Sequence, residues 1–81
     1  MKLELDLPKS KIKITYESGD KFLKVRPYSW DTHCILIKPE VASVNTVHSQ
    51  LMQGIHADEK RLLRDILQSV GNLVNYQIRK G

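Results

Sequence analysis

The sequence predicts an α+β fold: an antiparallel β-meander of three to four strands packed against a long C-terminal amphipathic helix, with a second helix before it. Two observations carry that expectation. Over the first third of the chain apolar and polar residues alternate, which marks half-buried strands, and near the C-terminus apolar residues recur at helical spacing. The 81 residues suffice for a single domain with one thin core, and 41% hydrophobic with 27% charged residues is a globular rather than a disordered composition.

Leu3, Leu5 and Leu7 share one face of the first strand, with Lys2, Glu4 and Asp6 on the other. Ile12, Ile14 and Tyr16 then alternate with Lys11, Lys13 and Thr15. Pro8, Lys9 and Ser10 interrupt the first alternation, and Glu17, Ser18, Gly19 and Asp20 interrupt the second before Phe22 to Arg26, so hairpin turns are expected at both places. A loop over residues 8–11 sets Leu7 opposite Ile12 and Leu5 opposite Ile14. A loop over residues 17–20 sets Ile14 opposite Leu23 and Ile12 opposite Val25. Leu3, Leu5, Leu7, Ile12, Ile14, Tyr16, Leu23 and Val25 then form one inner face, and a one-residue slip of any strand would turn its apolar set to solvent. On the outer face this register places Asp6 beside Lys13, Lys13 beside Lys24, Lys11 beside Arg26, and Phe22 next to Thr15.

Pro27 to Thr32 reads as a loop carrying Tyr28 and Trp30, the latter the one Trp of the chain. His33 to Lys38 is apolar at consecutive positions and reads as a strand covered on both faces. Between Glu40 and Gln53, Val41, Val44, Val47, His48 and Leu51 recur at helical spacing, after Pro39 and before Gly54; helix is the favoured assignment, with a further strand over residues 41–47 as the alternative. The last helix is expected over residues 58–79, with Asp58 as N-cap, Glu59 at the positive end of the dipole, and a stripe of Leu62, Leu63, Ile66, Leu67, Val70, Leu73, Val74 and Ile78. Gly71 beside that stripe marks a close approach to the sheet or a bend.

Catalytic and metal chemistry find little support in the pattern. His33 and Cys34 are neighbours, so in a strand they point to opposite faces and cannot form a nucleophile and base pair. His33, Cys34, His48 and His56 show no metal-ligand spacing, and no phosphate-binding glycine loop occurs, so neither an enzyme nor a metal or cofactor is expected. The lone Cys34 suits a reducing compartment. No stretch reaches the roughly 18–20 apolar residues of a membrane span, so a cytoplasmic protein without a membrane partner is expected.

Three groups of residues are candidate binding surfaces. The first is the outer sheet face with Lys11, Lys13, Phe22, Lys24 and Arg26; the second is the loop with Tyr28 and Trp30; the third is the polar side of the last helix, with Arg61, Arg64, Gln68, Asn72, Asn75 and Arg79. A formal charge of +4 favours acidic or polyanionic partners on encounter. The leading expectation is a small non-catalytic interaction module, an adaptor or inhibitor docking on a larger protein or nucleoprotein complex, a format common among phage and mobile-element inhibitors. The alternatives are a basic nucleic-acid-binding protein using the lysine row, and a homodimeric structural subunit.

Overall fold

The computed structural model describes residues 2–51 and 55–80, with side chains described for 2–50 and 55–74. Four strands, β1 (Lys2–Leu7), β2 (Ile12–Glu17), β3 (Leu23–Pro27) and β4 (Ile35–Ile37), lie in the order β1-β2-β3-β4, each antiparallel to the next. A 3-10 turn (Pro39–Val41), a short helix α1 (Val44–Leu51) and a long helix α2 (Ala57–Lys80) follow. This is the α+β meander with a C-terminal helix that the alternation and the apolar stripe predict. The segment expected as one helix over residues 40–53 divides at Ala42 and Ser43, and its last two residues lie outside those described.

Alternation dictates which face is covered. Leu7, Ile12, Ile14, Tyr16, Leu23 and Val25 are at most 2% exposed, while Lys2, Glu4, Asp6, Lys13, Lys24 and Arg26 between them face solvent. Against the inner face pack Val47 of α1 and Leu63, Leu67 and Val70 of α2, with Ile37, Ile55, Ile66, Leu73 and Val74 completing the core. Each large aliphatic side chain fully removed from water contributes about 1.5–3 kcal/mol, so this one interface holds the two layers together. Leu62 falls off the buried stripe and is half exposed, contrary to its expected place on it.

The β1 and β2 strands pair as expected, with Leu7 opposite Ile12 and Leu5 opposite Ile14. The β2 and β3 register differs from the expected one by two residues: Ile14 lies opposite Val25, Lys13 opposite Arg26, Thr15 opposite Lys24 and Ile12 opposite Pro27. The turn is closed where predicted, by the Asp20 N–H on the Glu17 carbonyl (2.9 Å) and the Glu17 N–H on the Asp20 carboxylate (3.2 Å), with Gly19 at φ 98°. Lys21 and Phe22, however, form a bend after it, and the ladder resumes only at Leu23. A two-residue slip preserves which side chains point inward, so alternation cannot detect it.

Two further expectations are corrected. β4 is covered on one face only: it is a short edge strand, and Leu36 at its centre is half exposed opposite Lys24. Gly71 marks no close approach, because a Cβ built there meets nothing within 4 Å.

Helix starts are set by local hydrogen bonds. Ser43 caps α1, its hydroxyl accepting the Thr46 N–H at 3.1 Å, while the Thr46 hydroxyl donates back to the Val41 carbonyl at 3.0 Å. Asp58 is not the N-cap of α2, which begins at Ala57. Instead Asp58 and Glu59 grip the β1–β2 turn. Glu59 is 3% exposed, and its carboxylate accepts the backbone N–H groups of Lys9 (2.6 Å) and Ser10 (2.8 Å) and the Ser10 hydroxyl. Asp58 pairs with the Lys9 ammonium at 2.6 Å, which lowers the Asp58 pKa and raises that of Lys9.

Removing the buried acceptor orphans two backbone donors, so Glu59→Ala is expected to destabilise the fold by about 2–3 kcal/mol in urea unfolding. In the same measurement Gly71→Ala is expected to stabilise it by about 0.5–1 kcal/mol, since open space surrounds a helical position that glycine disfavours. A loss of stability in Gly71→Ala would contradict that reading.

Candidate interaction surface

The corrected register arranges the outer face in cross-strand rows. One row runs Asp6, Lys13, Arg26 from β1 to β3; its neighbour runs Glu4, Thr15, Lys24, Leu36 from β1 to β4. In these two rows carboxylates stand on β1, cations on β2 and β3, and an apolar side chain on β4; beyond them Lys2 of β1 lies opposite Glu17 of β2 and pairs with Glu4 at 3.2 Å. Lys13 and Arg26, directly opposite one another, repel by a few tenths of a kcal/mol up to about 1 kcal/mol, and Asp6 beside Lys13 offsets part of this. Lys13, Thr15, Lys24 and Arg26 surround a shallow depression of about 240 Å³.

Tyr28 lies in the loop after β3, as expected, and its ring is joined to this face. Its hydroxyl donates to the Asp6 carboxylate across β2, and the Lys13 ammonium stands 5.7 Å from its ring centroid, within cation–π range. The hydrogen bond to Asp6, then partial loss of water, then the negative charge of Asp6 hold the Tyr28 pKa up at about 12. From the other side the Arg26 guanidinium reaches the Asp31 carbonyl at 3.4 Å. The Trp30 N–H closes a turn on the Pro27 carbonyl at 3.1 Å. Sheet cations and loop aromatics thus form one continuous surface, with Trp30 (39% exposed) at its margin beside a hollow lined by residues 29–33.

Two of the expected sheet-face residues stand elsewhere. Lys11 occupies the last position of the β1–β2 turn at φ 57°, its carbonyl accepting the Tyr28 N–H, rather than a strand position opposite Arg26. Phe22 is half-buried in the bend before β3 and does not lie in the strand. On α2, Arg61, Arg64, Gln68 and Asn72 are all exposed, and Arg64 and Gln68 border a cavity together with Lys60 and the start of α1. The side chains of Asn75 and Arg79 lie outside the described residues. Leu36, Asp6 and Lys60 were not among the sequence candidates; the consecutive apolar run concealed Leu36, and nothing local links Asp6 to Tyr28, 22 positions away.

His33 is exposed and Cys34 half-buried, both preceding β4. Among the described residues no group of three His, Cys, Asp or Glu side chains is placed to hold a metal ion, and no helix is long and apolar enough to cross a membrane. No protein family, curated protein or solved structure matches the chain.

The Tyr28 to Asp6 bond is directly measurable. A spectroscopic titration of wild type minus Tyr28→Phe is expected to show a phenol ionising near pH 12, and Asp6→Asn is expected to move it back toward the ordinary 10.0. Because the folded-state value is raised, the contribution of this bond is complete below the unfolded tyrosine value and is lost as pH rises through the folded one. A difference titration centred at 10.0 would show that the bond does not form.

Proposed function

We propose that this chain is a small non-catalytic interaction module, an adaptor or inhibitor that docks on a larger protein or nucleoprotein complex through its outer sheet face and the adjoining loop. The observation that carries the reading is the pinning of the loop to the sheet by Tyr28 on Asp6 and Arg26 on Asp31. Through these bonds Arg26, Lys24, Leu36, Tyr28 and Trp30 share one surface. Trp, Tyr and Arg are the residues that most often dominate protein interfaces, and their energy concentrates where an apolar centre is rimmed by polar groups. A surface that sets acidic, basic and apolar side chains in fixed rows also specifies orientation, which a uniformly basic one does not. The lone thiol of Cys34 fits a reducing, cytoplasmic setting.

One observation favours direct nucleic-acid binding as the second reading. Among the described residues Lys13, Lys24 and Arg26 form no ion pair, so three cations on adjacent strands are available to phosphates, with Trp30 as a stacking ring. The carboxylates of Glu4 and Asp6 on the same face weigh against it.

Capture from nuclease-treated lysate separates the two. A tagged chain is expected to retain a protein partner after nuclease, and Lys24→Glu/Arg26→Glu/Trp30→Ala to lose at least about 90% of it, consistent with a hot-spot loss above about 1.4 kcal/mol. Recovery of nucleic acid alone, with affinity that falls steeply with salt, would establish the second reading in place of the first.

A further inference from the structure

The helical layer has a cavity of its own, on the other side of the sheet from the outer face. α2 and the junction between the 3-10 turn and α1 border a groove of about 530 Å³. Its floor is apolar, formed by buried Leu67 and half-buried Val44. Its walls are polar: Lys60, Arg64 and Gln68 succeed one another at four-residue spacing, one helical turn apart on a single face of α2, and Asn45 faces them from α1. Among the described residues no carboxylate lines it, and Lys60 and Arg64 form no ion pair. Of the acids on α2, Asp58 is engaged on Lys9 and Glu59 beneath the β1–β2 turn, while Asp65, which follows Arg64, is exposed and outside the groove lining. The charge of the groove comes from these side chains rather than from the end of α1, where the Ser43 hydroxyl already takes the Thr46 N–H.

We infer that this groove is a second docking site and that its occupant is an acidic peptide segment of a partner protein. Lys60 and Arg64 receive a carboxylate, with the planar guanidinium suited to a paired contact. The amides of Asn45 and Gln68 meet the peptide backbone, and Leu67 and Val44 receive a neighbouring apolar side chain. The apolar floor beside amide groups favours a peptide, which carries an aliphatic side chain and a hydrogen-bonding backbone next to its carboxylate. The site does not depend on the sheet-face reading. With both surfaces occupied the chain joins two partners, which an adaptor requires and a simple inhibitor does not.

The test is a fluorescence anisotropy titration of the whole chain with a labelled short peptide of alternating Glu and Leu. A Gln and Leu peptide and a labelled oligothymidylate serve as comparison probes. Saturable binding of the Glu peptide is expected, weaker by at least about tenfold in Lys60→Glu/Arg64→Glu and unchanged in Lys24→Glu/Arg26→Glu. Lys60→Gln/Arg64→Gln, which removes charge without reversing it, should weaken binding in the same direction while keeping the wild-type unfolding midpoint. Amide resonances of Val44, Asn45 and Gln68 should shift on titration. Absence of binding, equal binding of the Gln peptide, tighter binding of the oligothymidylate, or equal weakening by the sheet-face variant would each overturn the proposal. Capture by the sheet face stands or falls separately on the Lys24, Arg26 and Trp30 variant.

Discussion

A four-stranded sheet has two faces, and the helices of this chain cover one of them. The strands are amphipathic by strict alternation, so covering the face of Leu7, Ile12, Ile14, Tyr16, Leu23 and Val25 commits the opposite set to solvent in a single step. Everything outward follows from that commitment: the position of the cations, the exposure of Leu36, and the flat surface across which Tyr28 can reach Asp6. No side chain on the outer face can be turned inward without turning a core residue out.

What keeps the helical layer in register with the sheet is a polar joint at one end. Glu59, at the start of α2, is buried against the β1–β2 turn and satisfies two backbone donors that the turn leaves unpaired. Apolar contacts along Leu63, Leu67 and Val70 are strong but tolerate sliding, whereas a carboxylate accepting two specific N–H groups does not. The joint therefore fixes where α2 lies along β1, and with it the position of Lys60 and Arg64, which begin the next turn of α2.

Much of this was legible in the sequence, and the failures have a common cause. Alternation gave the meander, the inner face and the first hairpin register, and the apolar stripe gave α2, because each rests on local periodicity. The second hairpin lies two residues from the register that alternation suggests, because Lys21 and Phe22 can join the strand or bend without changing which side chains face inward. Leu36 was expected to be covered because an unbroken apolar run resembles a central strand, yet β4 is an edge with a single helical layer behind it. Tyr28 lies in the loop the pattern predicts, but its bond to Asp6 spans three elements and has no local signal; the same holds for Glu59, whose place near the helix start suggests a dipole role while its partners Lys9 and Ser10 lie far away in sequence. Non-local polar contacts leave no periodic trace, and they are the contacts that assemble the candidate site.

The functional reading turns on one physical claim, that the bare sheet face and the loop pinned to it are the surface a partner covers. Amide hydrogen exchange of the chain, free and saturated with the partner captured from lysate, tests it most directly. The account predicts added protection in β3, β4 and residues 28–33, with β1 and the groove-lining turn of α2 unchanged while the acidic-peptide site is empty. Protection confined to α1 and α2, with β3 and the loop exchanging as in the free chain, would contradict it.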